Sequence, residues 1–390
     1  MSLNTATPVL ILGGKENALS VTRSLGRKGI AVRVSGPANC WALHSRYCVE
    51  AFRIPVEENS RDFWKRLLLG NKRELDGHIV LAMSDEALLF VNEHRADLSS
   101  RFILDDADPQ LQRDFLDKKR TLEIAEAASV GAPRHWDVAE DTDLEALARS
   151  VSFPVAVKPI ESHSFAKIFG TKLFIVKESP EILVQKLMLA RAHGVPVFVV
   201  EMIPGPDSLL SSYYTYRLPN GQRLFDFTKC IIRRWPVNRG NACYHATAIL
   251  PETAEAGRKF FDAAGLLGLG NIEFKRDTRD GKLKVIEVNA RFTAAQELVR
   301  RAGVPIDLIV YSRLTGQTPP PAKQGKRRLY FWYPIRDLLA FREMRKAGQL
   351  SLLGWLKSIA TASHVFPLLS LRDPVPMAGA AYAILQHLSV

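Results

Sequence analysis

Cysteine is scarce in this chain of 390 residues, which has only four and no CxxC pair. Four cysteines are too few to stabilise a chain of this length by disulfide bonds, and they lack the spacing of a zinc site. They are Cys40, Cys48, Cys230 and Cys243. No apolar run approaches the roughly 20 residues that a membrane span requires. The first apolar run, Val9 to Leu12, ends at a glycine pair, so the pattern of a secretory signal is missing. We therefore expect a reduced, cytoplasmic protein.

The composition lacks the marks of a disordered, collagenous or coiled-coil chain, since 47% of the residues are apolar and 24% are charged. The length predicts two or three domains. Lys and Arg number 53 against 41 Asp and Glu, which gives a net charge of +12. Much of the excess lies between residues 320 and 360. By itself this charge fits either a polyanion binder or a solvated surface with a pocket for phosphates.

Three motifs of nucleotide-binding and hydrolytic enzymes are missing: GxGxxG, GxxxxGK[ST] and GxSxG. The chain begins instead with the apolar run PVLILGG, the helical pattern NALSVTRSLGRKG and a second apolar run, IAVRVSG. Strand, helix and strand in this order predict a βαβ unit and a parallel sheet. Gly13 and Gly14 mark a tight turn that either holds a ligand or only joins strand to helix.

The pattern changes after residue 115. A single helical stretch is predicted over residues 108–133, followed by strands at FPVAVKPI and TKLFIVKE, a helix at SPEILVQKLMLARAHG and a strand at VPVFVVEMIPG. Two hairpins follow, with Pro-Asn-Gly and Arg-Asp-Gly turns and the helix ETAEAGRKFFDAAGLLG between them. The segment TPPPAKQGKRR is typical of a linker, and the tail beyond it is predicted to be small and mostly helical.

The second hairpin carries a candidate metal site. Glu287 and Asn289 are two residues apart on one strand, so their side chains lie on the same face. If residue 273 pairs with residue 285 or 287, Glu273 joins that face within about 4.5–8 Å of Glu287. Carboxylate and amide oxygens suit Mg²⁺. A slip of one residue in the register would instead leave these acids as the wet face of an ordinary hairpin.

The order of several motifs resembles that of the ATP-grasp superfamily. They are Asp117-Lys118, FPVAVKP, VVEMIPGPD, GNIEFK and VIEVNAR. The resemblance covers residues 116–315, and the βαβ region resembles the domain that usually precedes an ATP-grasp fold. Within the superfamily, the tail and ARFTAAQELVRRAGV are similar to the carboxylate–amine ligase and carboligase branch that includes D-aspartate ligase-like proteins.

The resemblance implies an α/β protein whose central body is α+β. Residues 1–115 would form the Rossmann-like pre-ATP-grasp domain. Residues 116–317 would form the ATP-grasp domain with its two α+β subdomains. Residues 318–390 would form the basic linker and the helical appendix.

The resemblance also implies an ATP site with lysines at the phosphates, a strand edge at the adenine and an acid at the ribose. The residues in these places are Lys118, Lys158, Glu201, Met202, Ile203 and Asp207. Lys119 and Arg120 are alternatives to Lys118 as the first of the two phosphate-binding residues. Lys158 would otherwise be a strand-end lysine reaching for water, and Asp207 a turn residue.

One stretch departs from the family pattern. Many ATP-grasp enzymes cover the phosphates with a glycine-rich loop after the lysine strand, whereas this chain has ESHSFAKIFG with a single glycine. Ser162, Ser164 and Lys167 are the candidate donors that would replace bare backbone N–H groups there.

Basic side chains are the candidate catalytic residues. Arg291 resembles the family arginine that stabilises charge on an acyl phosphate or carboxylate, a task suited to a planar fork of donors. Lys229 and Arg233 lie on the first hairpin, whose basic residues in the family contact the γ-phosphate or an acidic substrate. Either they form a solvated basic face, or one or two of them point inward.

The implied activity is that of an ATP-dependent ligase that uses Mg²⁺, or Mn²⁺ in its place. A carboxylate would be activated as an acyl phosphate and coupled to an amine of amino acid, peptide or amino-sugar type, with release of ADP and phosphate. One alternative is an ATP-dependent carboligase or carboxylase-like enzyme. Another is a non-catalytic nucleotide or polyanion binder that uses the basic tail. The expected partners are small molecules and a second copy in a homodimer, without nucleic acid.

Overall fold

A four-stranded parallel sheet opens the fold. The computed structural model describes residues 3–71, 73–160, 165, 168–171, 173–360 and 363–377. The strands, in the order β3-β2-β1-β4, are β1 (Val9–Leu12), β2 (Val32–Gly36), β3 (Cys48–Arg53) and β4 (Ile79–Ala82). The helices of this region are α1 (Glu16–Arg27), α2 (Ser60–Leu69), α3 (Asp85–Glu93) and α4 (Arg95–Ser99). The predicted parallel sheet is therefore confirmed.

Turn chemistry fixes the carboxyl edge of this sheet. Gly13 has φ +66°, which glycine adopts without strain, and a Cβ there would lie 2.6 Å from Ser84 Oγ. The Ser84 hydroxyl accepts a hydrogen bond from the N–H of Ala87 and so caps α3. These two contacts set the first turn of α3, with Asp85 at its start, beside the turn that follows β1.

Two helices replace the single one predicted over residues 108–133. They are α5 (Pro109–Leu116) and α6 (Lys118–Ala127). Asp117 between them has an extended backbone, and its side chain accepts hydrogen bonds from the N–H groups of Lys119 and Arg120. Because this cap satisfies the amides at a new helix start, the chain breaks at Asp117 and Lys118 becomes the first residue of α6.

A small antiparallel sheet comes next. Its strands, in the order β5-β8-β6-β7, are β5 (His135–Asp137), β6 (Val155–Pro159), β7 (Phe174–Val176) and β8 (Val197–Glu201). The helices packed on it are α7 (Leu144–Ser150) and α8 (Pro180–Ala192). Ser179 caps α8 and Pro180 occupies its first turn, as the Ser-Pro sequence predicts.

The largest sheet has seven strands in the order β13-β12-β9-β10-β11-β14-β15. They are β9 (Leu210–Arg217), β10 (Arg223–Trp235), β11 (Asn241–Thr247), β12 (Gly268–Arg276), β13 (Leu283–Asn289), β14 (Tyr330–Trp332) and β15 (His364–Val365). The further helices are α9 (Pro251–Ala263), α10 (Gln296–Arg301), α11 (Ile306–Leu314), α12 (Pro334–Lys346) and α13 (Leu352–Ile359). One hydrophobic core joins the first sheet to α10, α11 and this large sheet.

The C-terminal tail is part of this architecture rather than a free appendix. The described residues of the tail hold the helices α12 and α13, and β14 pairs with β11 of the large sheet. In the part of the chain that the structure describes, none of the helices is both long and apolar enough to cross a membrane.

Candidate active site

Four side chains form a row across four neighbouring strands. Glu287 of β13 lies opposite Glu273 of β12, which lies opposite Ser212 of β9, which lies opposite Lys229 of β10. The Ser212 hydroxyl donates a hydrogen bond to Glu273 Oε1 (3.3 Å), and Lys229 Nζ lies 3.6 Å from the same oxygen. Directly opposite residues project from the same face of a sheet, so both carboxylates converge there with a buried lysine.

A second row, two residues further along each of the strands β12 and β13, contains Asn289, the predicted amide ligand. Asn289 lies opposite Asn271, and its side-chain N–H donates to Asn271 Oδ1 (3.3 Å). Because the amide nitrogen makes this bond, the carbonyl oxygen of Asn289 is the atom of the side chain that could bind a cation. The hairpin register is thus the one on which the predicted metal site depends. The metal role of the three residues remains a prediction.

The two carboxylates affect each other. Solvent reaches Glu287, yet the surrounding protein and the adjacent negative charge of Glu273 raise its pKa. Two carboxylates that repel at short range fit a divalent cation held between them. Among the described residues, no cluster of three or more His, Cys, Asp or Glu side chains offers a further metal site. Two carboxylates and an amide suit Mg²⁺, which keeps part of its water shell.

Two lysines face this hairpin from other elements. Lys158, near the end of β6, has its pKa lowered to about 8 because burial disfavours its charge and Lys118 adds a second positive charge. Glu287 acts in the opposite direction, and Arg234 acts with Lys118. Four charged groups from α6, β6, β10 and β13 therefore lie within electrostatic reach of one another. A cluster with more cations than anions is suited to polyphosphate.

Arg291 closes the cluster on the side of the first sheet. Its Nε donates to Asp85 Oδ1 (2.5 Å), and its charge also interacts with Glu287. The backbone beside it is held by Asn17, whose amide donates to the carbonyls of Met83 (2.7 Å) and Phe292 (2.9 Å). The carboxyl edge of the parallel sheet thus borders the carboxylate row, and Arg291 lies between the two.

The predicted adenine edge lies at the end of β8. The Met202 N–H donates to the Pro154 carbonyl (3.0 Å), and Lys275 Nζ donates to the Ile203 carbonyl (2.9 Å). These two backbone groups are therefore occupied, and the adenine role of Glu201, Met202 and Ile203 stays a prediction. The Glu201 side chain is buried and accepts hydrogen bonds from Arg279 and from the Arg134 backbone.

Asp207 is held by a cation of the first hairpin. Arg234 Nη2 and Nε donate to Asp207 Oδ1 (2.6 and 3.0 Å), and the Asn238 N–H donates to Oδ2 (3.0 Å). Asp207 is buried, and Arg234 also lies within electrostatic reach of Lys158. This pair links the predicted ribose acid to the lysine cluster, although the ribose role itself stays a prediction.

Arg233 is not brought to the cluster. Its Nε and Nη2 donate to the two oxygens of Asp337 in α12 (2.6 and 3.1 Å), and its Nη1 donates to Ser358. Both Arg233 and Asp337 are buried. The cause is a register shift after Ile231, which places Arg233 opposite Tyr244 and turns it away from the face that carries Lys229. We therefore correct the expected catalytic role of Arg233 to a structural one.

Sequence reasoning overlooked Asp85 and Ser212. Asp85 stands in the helix-start pattern SDEALL, which gave a signal for the cap but none for a partner in another domain. Ser212 carries no local signal. The proposed phosphate donors Ser162, Ser164 and Lys167 lie outside the described residues.

A cavity of about 350 Å³ lies next to Arg234, between the small sheet's edge and the β10–β11 turn. Thr171 and Trp235 line it, together with the guanidinium-bearing residues Arg239 and Arg336. Among the described residues of this lining two are arginines and none is a carboxylate, which makes it a cationic space.

Comparison with known proteins identifies the fold. No protein family model matches the chain. The D-aspartate ligase of Enterococcus faecium (strain Aus0004) is 24% identical over 293 residues, which are 70% of this chain and 69% of the ligase. The D-alanine–D-alanine ligase of Stutzerimonas stutzeri (strain A1501) is 25% identical over 184 residues, 45% of this chain and 54% of that protein.

A solved structure agrees with these two relatives. N5-carboxyaminoimidazole synthetase from Staphylococcus aureus, crystallised with ADP, superposes with a TM-score of 0.63 at 15% identity. The match covers 84% of this chain and 82% of that protein. The chain thus has the ATP-grasp fold. The resemblance drawn from its motifs is confirmed, and so is the expected class of enzyme, the ligases.

Proposed function

We propose that the protein is an ATP- and Mg²⁺-dependent ligase that couples a carboxylate to an amine. One observation carries the proposal: Glu273 and Glu287 face each other across a hairpin, with Lys118 and Lys158 opposite them and Arg291 beside them. Two acids that can hold a metal, surrounded by cations that can hold phosphates, are the parts needed for phosphoryl transfer.

The residues present fit a divalent cation. Glu273, Glu287 and the carbonyl oxygen of Asn289 would hold it, and it would supply charge neutralisation between the phosphate groups of ATP. Lys158, whose pKa of about 8 leaves it mostly protonated at neutral pH, would bind the phosphate oxygens together with Lys118.

The reaction proceeds in two balanced steps. An oxygen of the substrate carboxylate attacks the γ-phosphorus, the bond from that phosphorus to the bridging oxygen breaks, and ADP leaves. The amine then attacks the acyl carbon, loses a proton and displaces phosphate. Arg291, fixed by Asp85, is placed to stabilise the oxyanion in the second step. No protein nucleophile is required.

The acid substrate is proposed to reach the site through the cationic cavity lined by Arg239 and Arg336. That lining supports a substrate with at least one further negative charge besides the reacting carboxylate. Amino acids, peptides and amino sugars are the candidate amines, because the two curated relatives are named as amino acid ligases.

A phosphate-release screen tests the proposal. Purified protein with ATP and Mg²⁺ is given pairs of acids and amines drawn from amino acids, dipeptides and sugar uronates. We expect release that needs both members of one pair and yields equal amounts of ADP and amide. Release that needs bicarbonate and ignores every amine would contradict the proposal.

A further inference from the structure

Helix α13 presents leucines to solvent. Leu352, Leu353 and Leu356 are 46%, 62% and 46% exposed, and the helix buries none of its residues. Its polar contact points inward instead, because the indole N–H of Trp355 donates to buried Asp337 (2.9 Å). A surface helix normally turns its apolar side chains toward the core. The orientation of α13 is the reverse of that pattern.

The neighbouring helix α12 extends this apolar face. The ring of Phe341 on α12 stacks on Trp355 with 4.8 Å between ring centroids, so the two helices lie side by side. Leu338, one turn before Phe341, is also exposed. We call eight of the exposed residues of this helix pair the tail patch. Its members are Leu338, Arg342, Arg345, Lys346, Leu352, Leu353, Leu356 and Lys357.

The charge of the tail patch is of one sign. Its four cations are exposed. Residues 334–360 contain two acids, Asp337 and Glu343. Asp337 is buried against Arg233, and the Glu343 carboxylate accepts a hydrogen bond from the Val237 N–H. Leucines surrounded by uncompensated lysine and arginine are the composition of a helix that lies in a membrane interface.

We propose that the tail patch binds the surface of an anionic lipid bilayer, with the leucines in the headgroup region and the cations on the lipid phosphates. Lysine and arginine near such a surface attract it, and their long stems let the leucines enter. The patch lies on the bilayer rather than crossing it. This binding surface is additional to the proposed ligase activity and accounts for the basic excess of the tail.

The composition of the tail patch favours an anionic bilayer over two other partners. A two-fold dimer through the patch would place Arg342, Arg345, Lys346 and Lys357 opposite their own copies, which repel. Nucleic acid would satisfy the cations but would leave the outward leucines without an apolar contact. An anionic bilayer satisfies both kinds of side chain.

Vesicle binding by the full-length protein tests the proposal. Sedimentation with vesicles of phosphatidylglycerol and phosphatidylcholine in equal parts is compared for Leu353→Glu and Ile249→Glu, since both positions are 62% exposed. We expect Leu353→Glu to weaken binding by about tenfold or more, because a charge replaces an inserted leucine. Ile249→Glu should bind like the unaltered protein, and pure phosphatidylcholine should bind weakly.

Charge is tested in the same assay. The double variant Arg345→Glu, Lys346→Glu is compared with Lys28→Glu, Lys65→Glu, in which both lysines are likewise exposed and lie in the first domain. Each basic residue near an anionic surface contributes about 1 kcal/mol, so the first variant should bind at least tenfold more weakly and the second much less so. Unchanged ADP binding shows that each variant is folded.

Three outcomes overturn the proposal. The first is that folded Leu353→Glu binds anionic vesicles as well as the unaltered protein. The second is that duplex DNA binds more tightly than the vesicles and is unaffected by Leu353→Glu. The third is that the protein ignores vesicles but forms a dimer that Leu353→Glu dissociates.

Discussion

Lys158 shows how one residue acquires its chemistry from its surroundings. Its sequence context, the end of an apolar strand, fits either a phosphate ligand or a lysine that reaches for water. In the fold, burial and the nearby positive charge of Lys118 lower its pKa to about 8, while Glu287 partly restores it. The charge of Lys158 is therefore lost just above neutral pH unless an anion binds beside it.

Nucleotide affinity should accordingly depend on pH. Below about pH 8 the free protein has Lys158 protonated, and above it the proton must be taken up again when ADP binds. We expect ADP affinity to fall with rising pH above 8, by up to about tenfold per pH unit. Titration calorimetry between pH 7 and 9.5 measures this.

The matched variant is Lys158→Arg, whose guanidinium keeps its charge throughout this range. Its ADP affinity should stay nearly constant with pH. If the unaltered protein showed no loss of affinity up to pH 9.5, the assignment of Lys158 to the phosphates would have to be abandoned.

At the scale of elements, the alternation of side chains between the two faces of a strand predicts only some of the site residues. It correctly predicts that Glu287 and Asn289 share a face. Glu273 joins them only because a β-bulge after Glu273 moves it from Ile286, its partner in the register of the Arg-Asp-Gly turn, to Glu287. The same rule would place Arg233 with Lys229, but the register shift after Ile231 reverses it. A bulge is decided by contacts with neighbouring elements, here the packing of α12, and such contacts are not local in sequence.

The break at Asp117 is a second example. Its cap involves only neighbouring residues and could be recognised in the sequence. The spacing of apolar residues stays helical on both sides of Asp117, however, so the sequence predicts one helix where two form. The fold class could be predicted because it follows from patterns within single strands and turns, whereas the carboxylate row also depends on the β-bulge beside Glu273. The contacts Arg291–Asp85 and Arg234–Asp207 join distant segments, and no pattern in the sequence announces them.

Arg233 should behave as a structural residue. In Arg233→Met the buried Asp337 carboxylate loses its cation, so we expect the free energy of unfolding to fall by about 3–5 kcal/mol. Urea unfolding measures this. The ADP affinity of the folded protein should change less than twofold. Arg342→Met is the same type of change at an exposed site of α12, the helix that carries Asp337, and it should cost less than about 0.5 kcal/mol. Loss of ADP binding in folded Arg233→Met would contradict the structural role.

At the scale of the whole molecule, the tail ties the first domain to the rest. Arg23 of α1 donates to Asp373 Oδ2 (2.8 Å) and to the carbonyls of Leu368 and Asp373, while Ser45 and the Arg46 N–H donate to the same carboxylate. Asp373 is fully buried. Because helix α3, which follows the first sheet, supplies Asp85 to the candidate active site, this clamp also helps to hold the site together.

Removing the clamp should therefore destabilise the protein as a whole. In Asp373→Asn the buried Arg23 loses its counter-charge, and we expect a loss of about 3–5 kcal/mol in urea unfolding. The surface pair of Arg66 with Glu58 gives the control, since Glu58→Gln should leave the free energy of unfolding nearly unchanged. Equal effects of the two changes would show that the tail clamp contributes no more than a surface ion pair.

The measurement that tests the central claim most directly is the effect of Mg²⁺ on ADP binding, determined by calorimetry for the unaltered protein and for Glu287→Gln. We predict that Mg²⁺ strengthens ADP binding to the unaltered protein by about tenfold or more, because Glu273 and Glu287 would hold the metal and its charge would offset that of the phosphates. Glu287→Gln should bind ADP alone at least as well but lose most of the response to Mg²⁺. An equal response to Mg²⁺ in the two proteins would contradict the account.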